Sequence, residues 1–307
     1  MIGQPQPAGD QLQQEFIDVV KRVSPEVVQI QTSTGLGSGI VFDDRGDIVT
    51  NGHVVTGAQQ LSVTLGSGRQ YPATVVGIYP QNDIAVIRVS GARPHPATFA
   101  DSSTIQVGDI ALAIGNPLGL RSSVTQGIVS SVGRTVSEGS GVVLPSVIQT
   151  SAEINPGNSG GALVDLNGDV IGIPTLAAID PESADRSQAP GIGFAIPSNT
   201  AKSIASQLIA SGSVATAGRA SLGVVVTSVI GGGLLVVIAE PGGAAAKAGI
   251  KRGDVIVAVA GQSTPTSDVL ASVLAGLRPG QTVPVELLTP AGQQATVQVT
   301  LGRQPGH

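Results

Sequence analysis

Ser159 lies in Asn155-Pro156-Gly157-Asn158-Ser159-Gly160-Gly161, a serine among small and turn-forming neighbours. Glycine allows backbone conformations that a side chain would forbid. Such a turn can leave the hydroxyl exposed while several backbone N–H groups aim at one point. A serine nucleophile needs that arrangement beside an oxyanion hole. A hydroxyl alone is a poor nucleophile, so the reading demands an imidazole and a carboxylate elsewhere. His53 follows the apolar run Ile48-Val49-Thr50 and precedes Val54-Val55, where a strand meets a turn. Asp83 stands in Gln81-Asn82-Asp83-Ile84-Ala85-Val86-Ile87, just ahead of an apolar strand. In these roles Ser159 Oγ attacks a carbonyl. His53 takes its proton and hands it to the leaving amine, while Asp83 fixes the imidazole tautomer and steadies the imidazolium. The N–H groups of Gly157 and Ser159, with Asn158 between them, form the expected oxyanion hole. Taken singly, each stretch is more commonly a turn, a structural histidine or a loop. Their conjunction in one β-rich region carries the argument.

The elements that must hold these residues are mainly strands. Val and Ile runs alternate with turns drawn from 42 Gly and 20 Pro. About a dozen short strands over residues 25–197 fit a pair of β-barrels or a sandwich. Ahead of them, residues 1–10 read as a tail, and Leu12, Phe16, Val19, Val20 and Val23 fall at helical spacing over 10–24. Asp10 caps that helix and Ser24-Pro25 ends it. Two long segments, 133–141 and 176–191, read as loops. A helix over 199–212 closes a first domain of residues 25–212, and a small-residue linker follows at 213–219. A second domain, 220–303, mixes strands with helices at 244–248 and 267–277, leaving a tail at 304–307.

Composition narrows the function classes. Aromatic residues make up 2% of the 307 residues, and the net charge is −5. Both features argue against a nucleic-acid binder, which needs stacking platforms or a basic surface. There is no cysteine, so disulfides, thiolate catalysis and cysteine zinc sites are excluded. His95 between two prolines and His307 at the end form no metal-ligand spacing with His53, and no metal or other cofactor is expected. Gly35-Leu36-Gly37-Ser38-Gly39 leads into a strand and lacks a following Lys-Ser/Thr, so it is not a phosphate loop. The opening Met-Ile-Gly-Gln-Pro-Gln-Pro has no charged-then-apolar signal pattern. The protein is therefore either cytosolic or begins here after a removed signal or anchor.

Thr50-Asn51-Gly52-His53-Val54-Val55, Asn82-Asp83-Ile84-Ala85-Val86 and Asn155 to Leu163 resemble the three catalytic blocks of the HtrA/Deg serine proteases. Gly115-Asn116-Pro117 and Gly191 to Pro197 share the resemblance. It implies a mostly β protein, a chymotrypsin-like double β-barrel followed by a PDZ-like α+β domain. It also implies ATP-independent proteolysis of misfolded or unfolded proteins in an extracytoplasmic setting, with membrane anchorage an option. Homo-oligomers, commonly trimers, built through the N-terminal part of the protease domain are implied as well. The same resemblance assigns Ile154 to the base of the pocket for the residue before the scissile bond, with Thr175 and Leu176 beside it. An aliphatic floor cannot pair with a buried ammonium, so cleavage is expected after small or medium aliphatic residues. The two long loops resemble the family's sensor and specificity loops. Gly52, Ser151 and Pro174 depart from the family's usual residues.

In the second domain, successive N–H groups of Leu222, Gly223 and Val224 could hold a peptide's terminal carboxylate beside a strand edge. Alone, this run reads as ordinary strand. Resemblance to a PDZ domain, carried also by Pro241 to Ala245 and Gly249 to Asp254, favours binding of apolar C-terminal peptides. Val269, Leu270 and Val273 are then expected to line the pocket for the last side chain. The rival reading is a chaperone or binding module whose protease fold is latent.

Overall fold

The computed structural model describes residues 8–33, 35–116, 123–137, 143–155, 157–179, 188–214, 216–229 and 232–305. Two compact units emerge: Met1–Arg134 with Val147–Ser213, and Thr135–Ser146 with Val214–His307. The first holds helix α1 (Ala8–Val23), the one-turn α2 (Gly52–Val55) and α3 (Ser198–Ser211). Strands β1 (Val27–Thr32), β2 (Leu36–Val41), β3 (Asp47–Thr50), β4 (Leu61–Thr64), β5 (Gln70–Tyr79) and β6 (Ile84–Val89) close a barrel in the order β1-β2-β3-β6-β5-β4. Strands β7 (Ile110–Gly115), β8 (Ser123–Ser137), β9 (Val143–Thr150), β10 (Ala162–Val164), β11 (Val170–Ile179) and β12 (Gln188–Pro197) close a second barrel. Its order, β7-β8-β9-β12-β11-β10, repeats the first barrel's connectivity.

Burial explains the apolar runs. Val28, Ile30, Ile48 and Ile87 share the first barrel's core, and Ile148, Leu163, Ile171 and Ala195 share the second's. Strand β6 is buried on nearly every residue because the barrel interior takes one face and α3 covers the other. Helix α3 meets it through Ala201, Ile204, Ala205 and Leu208, the i, i+3, i+4, i+7 stripe of a one-sided helix. Burial of Ile204 and Leu208 stabilises this contact by about 1.5–3 kcal/mol each. The helix stops at Gly212, whose φ of 70° lets its N–H reach back to Leu208 O. Helix α1 packs through Val19 and Val23 and leaves Leu12 and Ile17 exposed.

The second unit contains β13 (Thr216–Ser221), β14 (Val224–Ser228), β15 (Leu234–Ala239), β16 (Val255–Val259), β17 (Gln262–Ser263), β18 (Thr282–Leu288), β19 (Gln294–Thr300) and β20 (Gly302–Pro305). The main sheet runs β14-β15-β16-β18-β19, with β17 on β16 and β13 paired to β20. Helices α4 (Ala244–Lys247) and α5 (Ser267–Ala275) complete it around a core that includes Leu222, Val236, Ile256 and Val285. Thr266 caps α5, its Oγ1 accepting from the Val269 N–H at 3.3 Å.

The mostly β architecture, two barrels and then an α+β unit, matches the expectation. Several local readings change. The presumed linker 213–219 becomes strand from Thr216, and the presumed tail 304–307 is strand through Pro305. Their small, polar residues form a ladder without the apolar alternation that would announce one. Helix α1 begins at Ala8, and residues 1–7 lie outside the described residues. Of the presumed loops 133–141 and 176–191, the described residues 133–137, 176–179 and 188–191 are strand, with Ile179 paired to Gln188. Residues 138–142 and 180–187 of those segments lie outside the described residues.

Candidate active site

Asp83 is placed by its own backbone. A short 3₁₀ turn, Pro80–Asn82, delivers it in a left-handed conformation at φ 51°, ψ 42°, which costs a non-glycine residue about 1 kcal/mol or more. Two donors hold that geometry: Gly52 N–H and Asn51 Nδ2 reach Asp83 O at 3.0 and 3.1 Å. The carboxylate, with the residue 5% exposed, accepts three hydrogen bonds. His53 N–H donates to Oδ1 at 2.9 Å, His53 Nδ1 lies 2.8 Å from Oδ2, and Thr175 Oγ1 donates to Oδ2 at 2.6 Å. An ionised carboxylate only accepts, so Nδ1 carries the proton and Nε2 keeps its lone pair. Helix α2 starts one residue before His53, so the histidine sits on a helical turn rather than a simple bend. A Cβ at Gly52 would sit 3.3 Å from Asp83 Oδ1, so glycine leaves this carboxylate room.

The serine turn is held as tightly. Asn158, 2% exposed, donates its N–H to Asn155 O at 3.0 Å and its Nδ2 to Glu153 O at 2.9 Å. Its Oδ1 accepts from Asn155 N–H at 3.0 Å. Asn158, expected in the oxyanion hole between the two donors, therefore shapes the turn, and its own N–H is already spent. Among the described residues the N–H groups of Gly157 and Ser159 have no hydrogen-bond partner. Gly160 has φ +78°, and a Cβ there would strike Ser38 O and Thr50 Oγ1. The turn thus lies against β2 and the end of β3, three residues before His53.

Thr175 joins the two halves. In β11, Pro174 pairs with Ala195 and Leu176 with Phe194, which leaves Thr175 as the extra residue of a bulge. A bulge re-aims its side chain. Here the hydroxyl reaches Asp83 while the carbonyl lies 3.5 Å from Ser159 Oγ, the same distance as Asn155 O. Both are at the outer limit for a hydroxyl, so Ser159 Oγ is only loosely held. Pro174 has no N–H, but its carbonyl accepts from Gly160 N–H at 2.9 Å. Thr175, expected in the pocket wall, spends its hydroxyl on the acid instead.

The first unit matches the trypsin-like peptidase domain model over residues 37–173, and the second unit matches the PDZ domain model over 236–285. Serine protease PepD of Mycobacterium tuberculosis is 42% identical over 308 residues, covering 93% of this chain and 65% of its own length. Periplasmic pH-dependent serine endoprotease DegQ of Escherichia coli is 39% identical over 284 residues, covering 88% of this chain and 60% of its own length. The chain thus spans roughly three-fifths of such curated relatives. The solved structure of the HtrA-type protease AlgW with a decapeptide superposes with TM-score 0.65 at 31% identity, covering 94% of this chain and 99% of that one. A serine endoprotease from Yersinia pestis gives 0.63 at 34% identity, with 98% and 100% covered.

The chain belongs to the HtrA/Deg family of serine proteases.

In this HtrA-family chain Ile154 is 3% exposed and packs in the second barrel's core. A Cβ on Gly193 would strike its Cγ1, so Ile154 is seated directly against β12. Leu176 is the β11 partner of Phe194. Ser151 exchanges two bonds with β8, its N–H to Ile128 O and its Oγ from Ile128 N–H, both at 3.0 Å. In the PDZ unit a cleft of about 210 Å³ is lined by Leu222, Gly223, Val224, Val226, Ser267, Leu270, Ala271 and Leu274, among others. Residues 267, 270, 271 and 274 share one face of α5. Val269 and Val273, expected in the lining, instead pack in the core. The N–H of Gly223 is also taken, by Ser221 Oγ at 3.0 Å. Asn51 and Ser38 escaped the sequence reading. Asn51 is announced only by standing two places before His53, and Ser38 only by its flanking glycines.

Proposed function

We propose that this protein is an ATP-independent serine endopeptidase that hydrolyses unfolded or misfolded polypeptides through Ser159, His53 and Asp83. The observation that carries the reading is the buried Asp83 carboxylate, bonded to both the backbone and Nδ1 of His53 and to Thr175. That set of bonds orients the imidazole with its proton on Nδ1, so Nε2 is the nitrogen that takes the Ser159 proton. The proton then passes to the leaving amine, and Asp83 stabilises the imidazolium between the two transfers. The unpaired N–H groups of Gly157 and Ser159 receive the oxyanion, each worth about 3–4 kcal/mol of barrier. The acyl-enzyme is released when His53 activates water by the same route.

Substrate choice follows from Ile154. Its aliphatic side chain at the pocket base favours Val, Ala or Ile before the scissile bond. The PDZ unit binds apolar C-terminal peptides in the cleft between β14 and α5, and the protein assembles as a homo-oligomer, a trimer being favoured. Relatives named as periplasmic support an extracytoplasmic location. No helix among the described residues is long and apolar enough to cross a membrane.

Digestion of casein, with and without an apolar C-terminal peptide, tests the reading. Ser159→Ala is expected to abolish hydrolysis, and a peptide library is expected to show cleavage after aliphatic residues. Full activity in Ser159→Ala would refute the assignment, and preferential cleavage after Arg would refute the pocket.

A further inference from the structure

Ser38 is fully buried in β2, and its four polar contacts run to three parts of the site. Its Oγ donates to Gly157 O at 2.8 Å and accepts from Asn116 N–H at 2.8 Å. The direction is fixed, because Asn116 N–H can only donate and the hydroxyl has one hydrogen to give. Its N–H donates to Ser159 O at 3.1 Å, and its carbonyl accepts from Thr50 Oγ1 at 2.7 Å. Gly115 closes the other side of the turn, where a Cβ would strike Asn158 Cα and Gly157 O.

We propose that Ser38 is a positioning residue that keeps the N–H groups of Gly157 and Ser159 aimed at the oxyanion. Gly157 has no side chain to restrict its rotation, and the Ser38 hydroxyl supplies the restriction from outside. A swing of that residue would strand the buried Ser38 hydroxyl. Ser159 is fixed from its carbonyl side by the same residue's N–H. The Thr50 bond ties this clamp to the strand that leads into His53. Ser38 thus sets donors and base in one frame without touching substrate. This inference rests on the proposed roles of Ser159 and its turn.

The test compares Ser38→Ala with wild type on an aliphatic peptide substrate and with a peptidyl boronate, whose tetrahedral adduct on the serine presents an oxygen to the hole. Loss of a whole oxyanion donor lowers kcat by about 100- to 1,000-fold. Donors mis-aimed for part of the time are therefore expected to lower kcat by about 10- to 100-fold. Boronate affinity falls by a similar factor, and KM moves less than about threefold. Ser198→Ala serves as the control, because its buried Oγ donates to Ala100 O at 2.9 Å away from the site. It loses stability while keeping kcat. Should Ser38→Ala fail to fold, Ser38→Cys carries the same expectation, since a thiol is a weak donor. Values of kcat and boronate affinity within about threefold of wild type overturn the inference. So does an equal loss in Ser198→Ala. Activity retained in Ser159→Ala would instead overturn the underlying reading.

Discussion

Thr175→Val removes one hydroxyl and keeps the side chain's shape, so it tests how firmly Asp83 must be held. The lost bond is the shortest of the three on the carboxylate, 2.6 Å against 2.8 and 2.9 Å from His53. A hydrogen bond to a charged group contributes about 1.5–3 kcal/mol. Asp83 is buried, so water does not readily replace the donor. The expected stability loss is therefore of that size, a fall of roughly 4–10 °C in the unfolding midpoint for a unit this large. Two bonds from His53 survive, so the orientation of the acid is weakened rather than lost. Taking the lower figure as felt in the transition state, about 1.5 kcal/mol is roughly tenfold in rate. Steady-state kcat/KM on an aliphatic peptide, alongside calorimetry, should show about a tenfold loss for Thr175→Val. Thr175→Ser keeps the donor and should stay within about threefold. A Thr175→Val enzyme within twofold of wild type and with unchanged unfolding would refute the reasoning. Equal losses in both variants would also refute it, because Thr175→Ser keeps the donor and would then have lost activity for another reason.

Arg88→Ala removes from the fully buried Asp47 the fork it accepts from Arg88 Nε and Nη2 at 2.7 and 2.8 Å, leaving among the described residues only the longer Arg45 Nη2 contact at 3.7 Å. Urea unfolding should show a loss of about 2–4 kcal/mol, and Arg88→Lys an intermediate loss, because an ammonium cannot form the fork. Glu26 is held above its ordinary 4.5, first by burial and then by Asp169, against the pull of His95 and Arg22. A raised acid favours the fold fully below the unfolded value, and that contribution is lost as pH rises through the raised one. Glu26→Gln should therefore lose less stability than wild type between pH 4.5 and 7, and an identical slope by thermal unfolding would count against it. Ala271→Phe fills the PDZ cleft from an exposed position of α5. It should weaken an apolar C-terminal peptide by at least about tenfold, measured by calorimetry on the whole chain.

What the sequence made legible follows from where the information sits. His53, Asp83 and Ser159 were nominated by their conjunction in one β-rich region, since each stretch alone reads more commonly as a turn, a structural histidine or a loop. The strands were legible because Val and Ile runs must be buried, whatever their partners; those runs fit a barrel pair or a sandwich alike, and only the family resemblance implied two barrels. Thr175 shows the opposite case. Its hydroxyl reaches Asp83 only because one residue of β11 is left over between Pro174 and Leu176, and register is a property of two strands. The same limit hid β13 and β20, whose ladder is made by backbone groups, and misassigned Val269 and Val273. On α5 a stripe of valines and leucines fits either face until the sheet below is known. Ser38 is the sharper lesson. A Gly-Ser-Gly run at the start of a strand does not announce what its serine touches, yet each glycine is there to avoid a clash, Gly37 with Val54 and Gly39 with Ile48 and Ile30. Small residues between apolar strands marked crowding rather than freedom. The serine placed in that crowd could only be a structural donor, because no solvent reaches it.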